Sequence, residues 1–179
     1  NFASPYKASN ISEFWRRWHM SLSRFLRDYL YIPLGGSRCG KMRQYANLMI
    51  VMLLGGLWHG ASWTFVAWGG MHGIYLVVHH AWRHVRLRLG FTKSTILGRV
   101  AAQGLTFLAI VVAWIFFRAD SFEAAGAMFA GMIGMNGFVL PSTYESRFGG
   151  LGVALQAIGI EFGSAPNFLA RGVITILLL

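Results

Sequence analysis

The chain has 179 residues, 55% of them hydrophobic and only 12% charged, where soluble domains carry about 25% charge. Its formal net charge of +10 comes from 16 Lys and Arg against 6 Asp and Glu. The basic residues flank apolar runs, which suits membrane headgroups and argues against a nucleic-acid surface. The single cysteine, Cys39, excludes an internal disulfide and a thiolate metal cluster. The fold class expected is all-α: a polytopic integral membrane protein with transmembrane and interfacial or re-entrant helices.

The opening NFASPYKAS has neither an initiator Met nor a signal-peptide pattern. The closing GVITILLL stops inside an apolar run, so the expectation is a fragment, with residues 1–179 forming a single partial membrane domain. Residues 10–32 read as an amphipathic helix. Asn10 is its cap and Glu13 reaches back to that cap. Phe14, Trp18, Leu22, Phe25 and Tyr29 recur along one side. Arg16, Arg17, Arg24, Arg27 and Asp28 interrupt it too often for a lipid-exposed span. Glu13–Arg17 and Arg24–Asp28 are i,i+4 pairs, and Pro33 ends the helix. The basic loop LGGSRCGKMRQ follows. It is no phosphate-binding P-loop, because Met42 follows Lys41 where Ser or Thr is needed.

Residues 45–82 read as a helical hairpin with His59 near its tip. Basic residues on both flanks place those flanks on one side, the cytoplasmic one by the positive-inside tendency. The first arm is short, so the tip lies within the membrane if the boundaries hold. Residues 96–117 form the clearest span, since a crossing needs roughly 20 apolar residues. Residues 121–134 read as a short helix capped by Ser121, 135–150 as a loop, 151–163 as another short helix, and 168–179 as the start of a span.

His59 stands in GGLWHGASW, in otherwise apolar company. An imidazole in low-dielectric surroundings stays neutral, and a neutral imidazole accepts a proton from a hydroxyl. The competing reading is a hydrogen-bonded core histidine joining helices. Trp68, His72, Tyr75 and His79 recur on one helical face, as a cavity lining or as a packed seam. His80 and His84 have metal-ligand spacing, but no acidic neighbour completes a site, so no metal is expected and both read as interfacial. His19, off the main apolar stripe, is cavity-facing or solvated. Arg16 and Arg17 suit headgroups, a carboxylate or a phosphate-bearing ligand.

Three stretches carry a resemblance: SEFWRRWHMSLSRFLRDYLYIPLGG at 12–36, GGLWHGASWTFVAWGGMHG at 55–73 and WIFFRADSFEAAGAMF at 114–129. Together they resemble the membrane-bound O-acyltransferase family, in particular its bacterial alginate O-acetylation branch. The resemblance implies that His59 is the essential histidine of acyl transfer and that His19 supports it. Trp58, Trp68 and His72 are implied as tunnel lining. No bound cofactor is implied. The acyl donor is acetyl-CoA or another acetyl thioester. The implied partners are membrane lipids and either a polysaccharide acceptor or a periplasmic acetyltransferase. The location implied is the bacterial inner membrane, with several passes. Alternatives from the same residues are D-alanyl transfer to teichoic acid, a histidine-lined transporter or channel, and a non-catalytic scaffold.

Overall fold

The computed structural model describes residues 1–90, 95–135, 138–141, 151, 153, 156 and 160–163. The expected span from 168 lies outside them. The chain divides into two compact units, Asn1–Phe117 and Arg118–Leu179.

The first unit opens with a single 3-10 turn at Pro5–Lys7. Helix α1, Ile11–Arg17, is capped as expected, its Glu13 N–H donating to Asn10 Oδ1 at 2.9 Å. Glu13 does not reach back to Asn10. Its Oε2 accepts from the backbone N–H and the hydroxyl of Ser9, both at 2.9 Å, while Oε1 takes Arg17 at 2.6 Å. These partners, the Ser9 backbone N–H foremost, hold the Glu13 carboxyl below its ordinary value of 4.5.

The single helix expected over 10–32 is broken. Trp18 is extended and His19 is left-handed, with φ 41°. Helix α2, Met20–Leu26, restarts there and runs into a wider π turn at Arg27–Tyr31. The break rotates the buried face. Phe14 and Trp15 are buried before it, and Leu22 and Leu26 after it, while Phe25 and Tyr29 face outward. Of the expected pair Arg24–Asp28 only the electrostatic attraction remains: Asp28 hydrogen-bonds its neighbour Arg27 at 2.8 Å, in the π turn that alters the helical offset.

Helix α3, Lys41–His59, and helix α4, Trp63–Arg88, form the expected hairpin with longer arms than read from sequence. Buried Asn47 ties the preceding loop to α3 by donating to the carbonyls of Leu34 (3.0 Å) and Gly36 (3.3 Å). The two arms meet where each carries a glycine. A β-carbon on Gly56 would strike the Phe65 carbonyl, and one on Gly69 would strike that of Met52. Such close backbone approach is how helices associate in lipid, where apolar burial alone supplies little drive. Ser62 caps α4, its Oγ accepting from the Thr64 N–H at 3.3 Å.

Helix α5, Ile96–Arg118, is long and apolar enough to cross a membrane, the one such helix among the described residues. Its first half is exposed, whereas Ile110, Val111, Ala113 and Ile115 are buried. It is tied to the chain start by Gln103 Nε2 donating to the Lys7 carbonyl at 2.9 Å and by the edge-on contact of Tyr6 with Trp114.

In the second unit, helix α6, Phe122–Met132, is capped by Ser121 as expected, with Ala124 N–H donating to Ser121 Oγ at 3.1 Å. The short helix expected over 151–163 holds at the described residues 151, 153 and 156, and two strands depart from the expectations. Strand β1, Phe138–Pro141, falls in the stretch read as loop, and strand β2, Ile160–Gly163, in the stretch read as helix. They pair in parallel, Phe138 opposite Ile160. A four-residue strand leaves little periodic signal between Gly and Pro. Helices carry the fold, and this ladder is a minor addition to it.

Candidate active site

His59 is the last residue of α3, and Gly60 takes the chain out of the helix with an extended φ of 162°. The ring is half-buried. Its walls are aromatic: Trp58 at a centroid distance of 5.0 Å, Trp68 at 5.2 Å and Phe117 at 5.0 Å, each meeting it edge-on. Phe65 lies further off at 6.2 Å. Trp58 itself is 63% exposed, so this end of the hairpin is open on one side. A half-exposed imidazole beside aromatic walls can exchange a proton with a small polar group that reaches its open side.

His19 is brought within electrostatic range of His59, although 40 positions separate them in the sequence. The backbone break that places it is one of two left-handed non-glycine positions among the described residues, with Ser4. Its Nδ1 lies 3.3 Å from Asn1 Nδ2 and 3.5 Å from Ser21 Oγ. Histidine tolerates this region better than branched residues, yet the conformation is uncommon and tends to mark sites where geometry is imposed.

His72 occupies a different environment. It has 0% exposure, and neither ring nitrogen has a hydrogen-bond partner. Phe14 stacks on it, while Trp15, Trp68 and Tyr75 meet it edge-on at 5.1, 4.8 and 5.9 Å. The indole N–H groups of Trp15 and Trp68 are equally buried and unpartnered. Trp68 therefore sits between the two histidines and contacts both. Among the described residues no group of three His, Cys, Asp or Glu could hold a metal. Cys39 is an exposed free thiol.

The sequence reading assigned no part to Phe117, Phe65 or Trp15. Phe117 and Trp15 stand in the motifs IFFR and FWRRWH, yet nothing in a linear pattern shows which ring they cover.

Residues 1–119 match the family model for MBOAT, the membrane-bound O-acyltransferase family. The peptidoglycan O-acetyltransferase of Helicobacter pylori is 54% identical over 140 residues, covering 78% of this chain and 26% of that protein. The probable alginate O-acetylase AlgI of Pseudomonas syringae pv. tomato is 44% identical over 158 residues, 88% of this chain and 29% of that protein. The teichoic acid D-alanyltransferase of Streptococcus thermophilus is 39% identical over 89 residues, 46% of this chain and 21% of that protein. The chain thus spans between a quarter and a third of the length of the relatives it matches over most of its own. With 119 consecutive residues matched, among them the WHG turn and the FWRRWH break, the chain belongs to the membrane-bound O-acyltransferase family.

Proposed function

We propose that the protein to which this chain belongs moves an acetyl group from a thioester donor to a hydroxyl of a cell-envelope glycan. The observation that carries the proposal is His59: a half-open imidazole at a helix end, walled by aromatic rings and within electrostatic range of His19. Relatives named for O-acetyl transfer to peptidoglycan or alginate are similar over most of this chain, which supports acetyl as the group and a glycan as acceptor. Similarity to the D-alanyl-transferring relative covers less than half of it, so D-alanyl transfer to teichoic acid is the second reading.

In this mechanism the neutral His59 ring takes the proton of the attacking hydroxyl as its oxygen adds to the thioester carbonyl. The carbon–sulfur bond then breaks, and the proton passes from His59 to the departing thiolate. The products are an acetyl ester and a free thiol. His19, on the neighbouring element, acts as a supporting group that steadies charge on the carbonyl oxygen. Acetyl-CoA is the simplest donor. A periplasmic acetyltransferase is the partner that finishes the transfer if the glycan itself does not enter. The site is proposed to lie in a multi-pass protein of the bacterial inner membrane, with the α3–α4 hairpin inserted beside the spanning helix α5.

The test is His59→Gln in the complete encoded protein, reading membrane abundance and glycan acetyl esters together. Esters fall by about a hundred-fold or more while abundance holds, since a positioned general base contributes roughly 10²–10⁴. Unchanged esters overturn the assignment. A fall in abundance alone favours a scaffold.

A further inference from the structure

A pocket lies away from His59. It is a cavity of about 420 Å³ between the α1–α2 segment and the hairpin. Arg16, Arg24 and Arg27 rim it, while Leu48 of α3 and Leu76 and His80 of α4 form its inner wall. Leu48 is eleven residues before His59, about 16 Å along the helix. The α3 residues that line it, Gln44 to Met52, all lie seven or more residues before His59, so the pocket is set back along the hairpin from that ring.

Its charge is not matched within the unit. Residues 1–117 contain thirteen Lys or Arg but two carboxylates, Glu13 and Asp28. Glu13 hydrogen-bonds Arg17 and Asp28 hydrogen-bonds Arg27, with Arg24 a further cation acting on Asp28, so two carboxylates face a much larger number of cations. Among the described residues no carboxylate hydrogen-bonds Arg16 or Arg24. Their planar, paired N–H groups are suited to phosphate oxygens. The same segment turns Phe25, Tyr29 and Ile32 outward, apolar side chains interleaved with the arginines. That combination belongs at the boundary between acyl chains and headgroups.

We infer that this pocket binds the headgroup phosphate of an anionic phospholipid, with the start of its acyl chains against the leucine wall. The inference is independent of the chemistry at His59, and its readout is lipid, not ester. The complete protein is reconstituted into phosphatidylcholine nanodiscs doped with phosphatidylglycerol. It is then extracted in mild detergent, and the lipid retained per protein is measured by mass spectrometry.

Wild type retains phosphatidylglycerol in preference to phosphatidylcholine. Arg16→Gln with Arg24→Gln lowers that retention by about ten-fold or more, each surface cation being worth about five-fold. The paired Lys variants keep most of it, and Arg99→Gln on α5 leaves it unchanged. Should the double variant accumulate poorly, Arg24→Gln alone still gives the single step. Equal retention in the Gln variants, or an equal loss in Arg99→Gln, overturns the inference. Displacement of the lipid by millimolar inorganic phosphate or coenzyme A also overturns it, by assigning the pocket to a soluble phosphate.

Discussion

His59 and His72 sit thirteen positions apart in one apolar stretch, touch the same tryptophan, and have opposite settings. His59 ends a helix, keeps part of its ring open and has His19 within electrostatic range. His72 lies mid-helix, sealed among Phe14, Trp15, Trp68 and Tyr75, with both nitrogens unpartnered. The difference is one of access. A base must reach the proton it takes, and a sealed ring cannot without moving its cage. Residue type and apolar context, which the two share, do not separate an accessible histidine from a sealed one.

The sharpest way to break the comparison is to substitute both in the complete protein. His59→Gln lowers acetyl esters by about two orders of magnitude or more at constant abundance. His72→Leu, which removes two unpartnered polar atoms from an apolar cage, changes esters by less than about three-fold. A large loss of esters in His72→Leu at normal abundance would make the buried ring a participant and reverse the contrast. Second in size is the helix crossing that holds both rings. Gly56→Val drives a side chain into the Phe65 carbonyl and costs about 3 kcal/mol or more, read as lost abundance and a lower Tm.

Next come the aromatic walls, one from each setting. Phe117→Ala strips a wall from His59, so esters fall by about ten-fold, more than abundance does. Trp15→Ala opens the His72 cage and costs about 3–5 kcal/mol of stability, so abundance falls first. Equal profiles for the two variants would erase the distinction between site and core.

The smallest effect lies at the α1 cap, outside both settings. The Glu13 carboxyl is depressed in the folded chain, so its stabilising contribution is complete above about pH 4.5 and is lost as pH falls through the lower folded value. Glu13→Gln flattens that part of the Tm–pH curve below about pH 4.5 and leaves the ester yield at neutral pH unchanged. A curve as steep as wild type would remove Glu13 from the acid response.

Much of the helical frame was legible from residues alone. The Asn10 and Ser121 caps, the hairpin between basic flanks and the apolar run ending in Arg118 each follow from short-range chemistry: an oxygen beside bare N–H groups, or a lipid-length run closed by charge. Other features were not. The break at His19 leaves the apolar spacing intact across it, so periodicity reads one helix where there are two. The pairing of β1 with β2 joins segments too short to announce themselves.

The candidate site divides in the same way. The residue types around residues 55–73 and the motif around His59 were determined by the sequence by itself, because they are local and chemically unusual. Tertiary structure alone decided that Phe117, 58 positions later, walls His59, that the left-handed turn at His19 carries that ring within range, and that His72 is closed off. The physical reason is that access and enclosure are properties of surfaces meeting, and those surfaces come from helices whose contact is set by two glycines and a kink, not by the order of residues along either one.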